Sequence, residues 1–398
     1  MKELLTQVFI PSEQSDGIIF FSLIVLSFIG LCTVGSASMG TTVGNLFGLV
    51  MVIGKQAFFF FIGYIAMNLC SKKFNTDSVH SNGFMWLIAG IEILLLICLF
   101  FPAVNGAKAW LRVGVGPLEI TIQPSEFAKI FAFLIIACFL GNNARKCKYP
   151  FRTLMLTPVS LIFLYVIPIM FLQHDSGSAV ILLGISYICL LIPENRSMTT
   201  IHTCMSWFFL IAVIITVILC SPYGKSIIAY LPLAEYQKNR FLSSLNPFMD
   251  RYGNGYQLVH SLTSFARGGL RGVGFGKSIQ KYAGFPEANT DYILAILVEE
   301  FGFIGFMILI LLYTLIIMRL LIYAVRIKDE IGRIVLIGTS MYFMLHIFLN
   351  VGGVTGMIPL TGVPLPLISS GGSSAVAFYV SIGLSQAVIC QYRKKEIR

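Results

Sequence analysis

Residues 265–302 read FARGGLRGVGFGKSIQKYAGFPEANTDYILAILVEEFG. The first part interleaves Arg267, Arg271, Lys277 and Lys281 with Gly268, Gly269, Gly272, Gly274 and Gly276. The second part sets Glu287, Thr290 and Asp291 just ahead of an apolar run that begins at Tyr292. Glycine-rich backbone with arginine and lysine around it suits an anion. A carboxylate at the mouth of an apolar segment suits acid–base work. The same spacing also suits a plain helix start, since Thr290 and Asp291 are good N-cap residues. Spacing alone favours the cap.

Other polar groups in apolar surroundings need a reason. Ser125 and Glu126 open an apolar run at Gln123-Pro124, and Lys129 stands three residues on, where it can pair with Glu126 on one helix face. A cap with a neutralising pair and a polar wall facing a cavity both fit. Lys108, Trp110 and Arg112 sit together before that run, where Trp110 is either an interface anchor or a sugar platform. Asp175 lies in a short turn, as a turn residue or a ligand contact. Residues 350–374 are apolar but rich in proline and glycine, so they cannot form one regular helix. Such backbone at membrane depth must be buried in protein or line a cavity. Ser369, Ser370 and Gly371 would bring hydroxyls and N–H groups near a helix start, which is a setting for an anion.

The elements that must position these residues are membrane helices. The chain has 398 residues, of which 57% are hydrophobic and 12% charged, against roughly 25% charged in soluble domains. Runs of about 18 or more apolar residues recur, each long enough to cross about 30 Å of hydrocarbon as a helix. Ten spans are expected, near 17–36, 47–70, 84–103, 124–141, 154–172, 178–193, 203–221, 291–324, 332–351 and 371–391. The eighth is long enough to begin as a tilted or re-entrant segment. The fold class is therefore an all-α polytopic membrane protein, one domain over 1–398, with a large extracellular loop at about 222–290 between spans 7 and 8.

Lys and Arg set the orientation. Lys72 and Lys73, then Arg145, Lys146, Lys148 and Arg152, then Arg196, then Arg319, Arg326, Lys328 and Arg333, then Arg393, Lys394, Lys395 and Arg398 fall in alternate loops and the tail. All are then cytoplasmic, as are both termini. The net charge of +10 points to these loops rather than to nucleic acid. Loop 222–290 is the exception, with Lys225, Lys238, Arg240, Arg251, Arg267, Arg271, Lys277 and Lys281 against Glu235, Asp250 and Glu287. A long loop tolerates any charge, but an external basic surface also suits an anionic ligand. Charges within or at the ends of spans (Lys55, Glu92, Glu126, Lys129, Glu299, Glu300) each cost about 2.5–3.5 kcal/mol near the centre. The nine cysteines contain no C-x-x-C, so neither a metal site nor a disulfide framework is expected from them. The N-terminus lacks the pattern of a cleaved signal peptide, so the first span is expected to stay.

Several segments together resemble the SEDS family (shape, elongation, division and sporulation), the FtsW/RodA/SpoVE group. They are NGAKAWL at 105–111, QPSEFAK at 123–129, QHDSGSA at 173–179, YQKNRFLSSLNPFMDRYGNGYQ at 236–257, GFGKSIQK at 274–281, PEANTDYI at 286–293, EEFGFIG at 299–305 and GMIPLTGVPLPLISSGGSS at 356–374. Lys277 to Lys281 look closer to the division and sporulation branch. Asn289 stands where the family usually has His. The resemblance implies a peptidoglycan glycosyltransferase of the bacterial plasma membrane that polymerises lipid II on the outer face. It puts the essential acid at Asp291 and implies a class B penicillin-binding protein as partner, beside other divisome or elongasome membrane proteins. Arg240, Arg267, Arg271, Lys277 and Lys281 become candidates to neutralise the diphosphate, with a divalent cation, Mg or Mn, as their companion and no organic cofactor. Lys281 is also a candidate partner for Asp291. A lipid II flippase and a scaffold that recruits the penicillin-binding protein are the competing classes.

Overall fold

The computed structural model describes residues 9–104, 106–114, 119–141, 151–193, 199–219, 221, 224, 227 and 235–397. Asn105, Arg145, Lys146, Cys147, Lys148, Arg196, Cys220, Lys225 and Arg398 lie outside the described residues, as do the side chains of Arg152 and Glu235.

Every expected span is a helix. First come α1 (Gly17–Ser38), α2 (Leu46–Lys73) and α3 (Asn82–Ile97), then an antiparallel ribbon of β1 (Leu111–Val113) and β2 (Ile120–Ile122). α4 (Pro124–Leu140), α5 (Phe151–Ile167), α6 (Ser176–Leu190) and α7 (Thr199–Leu219) follow. The long loop contains α8 (Glu235–Leu245) and α9 (Tyr256–Gly268). The chain closes with α10 (Ile293–Arg326), α11 (Glu330–Val354) and α12 (Gly372–Arg393). Eight helices among the described residues, rather than ten, are long and apolar enough to cross a membrane. α4 has 17 residues and α6 has 15. At ~1.5 Å per residue they reach about 25 Å and about 22 Å, short of a ~30 Å core. The start of each has a local reason. Pro124 occupies the first turn of α4, and the Asp175 carboxylate caps α6 by accepting from Ser178 N.

α12 is the most enclosed span and packs along α2, while α7 buries none of its apolar window. One end of the bundle is tied by polar groups. Asp16, which caps α1, accepts from Arg319 of α10 and from Arg393 of α12, the latter at 3.2 Å. Lys72 Nζ donates to Ile10 O, and Gln391 Nε2 donates to Phe74 O at 2.8 Å. The ends of α2, α10 and α12 therefore meet the N-terminal segment, as alternate basic loops require.

α10 is broken at Gly302, whose φ of 67° and ψ of −169° are not helical. A break leaves backbone groups without helical partners, and apolar surroundings make that costly. The segment after α9 supplies the partners. Phe303 N donates to Gly269 O at 2.8 Å and Ile304 N to Leu270 O at 3.1 Å. In return Val273 N donates to Glu299 O at 2.9 Å and Gly274 N to Glu300 O at 3.0 Å. A Cβ added at Gly302 would lie 2.4 Å from Gly272 N and Leu270 O, so no side chain fits there. The upper piece, Ile293 to Glu300, is buried at every residue, and it carries Asp291 just before it. This is the broken start that the length of the eighth span suggested.

Candidate active site

Asp291 does not cap a helix. α10 begins at Ile293, and its N-cap, Tyr292, makes no side-chain capping bond. The turn closes on its own backbone instead. Glu287 takes a φ of 55°, and its carbonyl accepts from Thr290 N at 3.2 Å and Tyr292 N at 3.1 Å. Thr290 Oγ1 donates to Glu287 Oε2 at 2.7 Å. The cap expected at Thr290 or Asp291 is thus replaced by this turn, and the Asp291 carboxylate is left for other work.

That carboxylate is half-buried and turns toward the loop before α12, where a Cβ added at Gly362 would lie 3.6 Å from Asp291 Oδ2. The same loop abuts α6, since a Cβ at Gly177 would meet Thr361 O at 2.5 Å. Asp175 accepts from Ser178 N at 3.0 Å and from Gln123 Nε2 at 2.8 Å. Arg240 of α8 is exposed and donates to Leu360 O at 3.2 Å. Burial pushes the Asp291 carboxyl up to about 7, and the charges of Glu287 and Asp175 push the same way while Arg240 opposes them. A carboxyl raised this far takes up a proton more readily than an ordinary aspartate.

The basic loop divides into two sets. Lys281 is an internal counter-ion: its side chain is 0% exposed, and Nζ donates to Glu300 Oε1 at 3.1 Å, Ser36 Oγ at 2.9 Å and Gly276 O at 2.8 Å. An ammonium has three donors, and all three are used. Lys281 therefore neither partners Asp291 nor reaches a diphosphate, contrary to both expectations. Arg267 pairs with Glu299 at 3.2 Å but keeps 40% of its side chain exposed. Arg271 and Lys277 are exposed.

A family model for FtsW/RodA/SpoVE, described as a cell cycle protein, matches residues 16–394. The chain belongs to the FtsW/RodA/SpoVE family. It is 32% identical over 380 residues to the probable peptidoglycan glycosyltransferase FtsW of Haemophilus influenzae, covering 93% of this chain and 89% of that one. It is 31% identical to stage V sporulation protein E of Bacillus subtilis, covering 92% and 94% of the two chains. In three dimensions it resembles a chain of a peptidoglycan synthase complex, with a TM-score of 0.69 at 23% identity over 95% of this chain and 98% of that one. The rod shape determining protein RodA of Thermus thermophilus gives 0.61 at 21% identity over 95% and 97%. At these identities the two structures establish the shared fold.

The other expected residues of this FtsW/RodA/SpoVE chain fall into three places. Lys108 is exposed, Trp110 is partly buried, and Arg112 pairs with Glu119 at 3.4 Å across the β1–β2 ribbon. Glu126 and Lys129 are 1% exposed and closed inside the bundle. Lys129 Nζ meets Glu126 Oε1 at 2.8 Å, and Tyr342 donates to Glu126 Oε2 at 2.8 Å. His346 Nδ1 donates to Pro364 O at 3.1 Å, so its Nε2 accepts from Lys129 Nζ at 3.3 Å. The pair is neutralised inside the protein rather than facing a cavity. Ser369 and Ser370 brace the Asp291 loop: Ser369 Oγ donates to Thr290 O at 2.7 Å, and Ser370 N to Asn289 O at 2.9 Å.

A cavity of about 450 Å³ lies on the other side of that loop. Its walls include Lys55, Gln56, Glu287, Thr290, Ser370 and Gly371, but not Asp291. Tyr342, His346 and Asn350 of α11 were not picked out as site residues from the sequence. Their signal was there, as polar side chains inside an apolar run. Among the described residues no group of three or more His, Cys, Asp or Glu could hold a metal ion.

Proposed function

We propose that the chain is a peptidoglycan glycosyltransferase that polymerises lipid II at the outer face of the plasma membrane, with both termini in the cytoplasm. The observation that carries this reading is Asp291: a half-buried carboxylate, released from helix capping, with a pKa of about 7. The charge of Arg240 reaches it, in a chain whose relatives include the probable peptidoglycan glycosyltransferases of H. influenzae and B. subtilis. Asp291 takes the proton of the acceptor sugar's 4-hydroxyl as that oxygen attacks the anomeric carbon of the donor. The bond from that carbon to the diphosphate breaks on the opposite face, so configuration inverts, and the electron pair leaves with the diphosphate. Asp291 then returns its proton to water. A glycosidase needs an acid for its leaving group. Diphosphate departs as an anion, so charge stabilisation replaces that acid. Arg240, whose charge acts on Asp291, is the cation placed for it, and Arg267, Arg271 and Lys277 add exposed cations at and after the end of α9. A Mg or Mn ion would add to that charge stabilisation. A class B penicillin-binding protein is the fitting partner, supported by the likeness to a chain of a peptidoglycan synthase complex.

The test is gel-resolved glycan formation from purified lipid II with a divalent cation, each enzyme co-purified with a class B penicillin-binding protein. Wild type should give polymer and Asp291→Asn none, a loss of about 10²–10⁴-fold or more for a general base. Polymer from both would remove Asp291 from the centre. Polymer from neither, in folded and lipid II-binding preparations, would overturn the polymerase reading.

A further inference from the structure

Asn289, Thr290 and Asp291 present three successive backbone carbonyls at the end of the turn before α10. A donor from the α11–α12 region meets each one. Ser370 N reaches Asn289 O at 2.9 Å, Ser369 Oγ reaches Thr290 O at 2.7 Å, and Asn350 Nδ2 reaches Asp291 O at 2.9 Å. Asn350 does more than fill an orphan acceptor. The same Nδ2 also donates to Val363 O at 2.9 Å. Val363 follows Gly362, the residue that faces the Asp291 carboxylate. One amide group therefore ties the backbone of Asp291 to the wall its carboxylate looks at. Asn350 is 1% exposed, and its Oδ1 has no hydrogen-bond partner. Losing the Asn350 amide would strand the Asp291 and Val363 carbonyls it now satisfies.

We propose that Asn350 is a positioning residue for Asp291, the top rung of a three-rung brace that holds the carboxylate at a fixed place and depth. This rests on the polymerase reading of Asp291. Hydrophobic packing alone does not fix a turn like this. The 286–291 loop has no regular secondary structure beyond its own turn, and an aspartate on an unbraced loop would swing toward water. Reaction rates are steep in such displacements, with ~1 Å of misplacement costing on the order of 10²-fold. Burial is also what chiefly raises the Asp291 carboxyl, with Glu287 of its own loop and Asp175 before α6 acting the same way and Arg240 of α8 acting against it. A loosened brace lets water in and lowers it.

The experiment compares wild type, Asn350→Ala and Asp291→Asn, each co-purified with a class B penicillin-binding protein. It measures lipid II polymerisation per folded molecule across lipid II concentration and pH. Asn350→Ala should lose about 10- to 100-fold in kcat with KM for lipid II little changed. The acid limb of its pH–rate profile should move to lower pH. A wild-type kcat overturns the proposal, as does a fall with an unmoved acid limb, which would mark a purely structural role. If Asn350→Ala does not accumulate, Ser369→Ala removes the next rung and carries the same two readouts. An active Asp291→Asn would refute the base itself, separately from the brace.

Discussion

Replacing Asp291 with asparagine should make the protein more stable while abolishing its chemistry. The carboxyl is raised from an ordinary 3.8 to about 7, chiefly by burial. A raised carboxyl holds a proton in the folded state that the unfolded chain has already released. Stability therefore falls as pH rises from about 3.8 to about 7, and is level above that. Three pH units correspond to roughly 4 kcal/mol, an upper bound because the group is only half-buried and water screens it. Asp291→Asn carries no charge at any pH. Its advantage over wild type should be at most roughly 4 kcal/mol at pH 8 and at most roughly 1.5 kcal/mol at pH 5. The assay is thermal unfolding of both proteins in the same detergent at the two pH values. The midpoint of Asp291→Asn should lie above wild type at pH 8, with the gap clearly smaller at pH 5. Equal midpoints at pH 8, or a gap that ignores pH, would refute the placement of a strained carboxylate at this turn.

Two other predictions use the same surroundings. The acid limb of polymerisation should have its midpoint near 7; Glu287→Gln should shift it to lower pH and Arg240→Gln to higher pH, and a pH–rate series on the three proteins checks both directions. Lys281→Met should destabilise the fold by about 3–5 kcal/mol, because it strands Glu300 in the interior. Lys281→Met combined with Glu300→Gln should recover much of that loss in thermal unfolding, whereas a residue that served only the diphosphate would leave stability unchanged.

The helices were legible because membrane spans are written in long local runs. Their positions follow from apolar length, and the observed ends differ by a few residues. What was not legible depends on contacts between distant parts of the chain. Lys277 and Lys281 look alike in sequence, but Ser36, far away on α1, and Glu300 enclose only the second. Thr290 and Asp291 carry the signature of a cap, yet the Glu287 carbonyl takes the nearby N–H groups and delays the helix to Ile293. Ser369 and Ser370 were expected to meet an anion because they precede a helix. Their partners are carbonyls of a loop about 80 positions earlier, which no local spacing records. Glu126 and Lys129 were correctly paired by their i,i+3 spacing, but the Tyr342 hydroxyl and His346 imidazole that complete the cluster come from α11.

The break at Gly302 has a mechanical consequence. A continuous helix would act as a lever: tilting it to match a thicker or thinner bilayer would swing its upper end and the aspartate with it. Here both pieces are laced to the segment after α9: Glu299 and Glu300 above the break accept from Val273 and Gly274, and Phe303 and Ile304 below it donate to Gly269 and Leu270. The break is therefore a braced elbow rather than a free hinge. Tilt of the lower rod is then shared with the segment after α9 before it can reach the upper piece and the turn that carries Asp291.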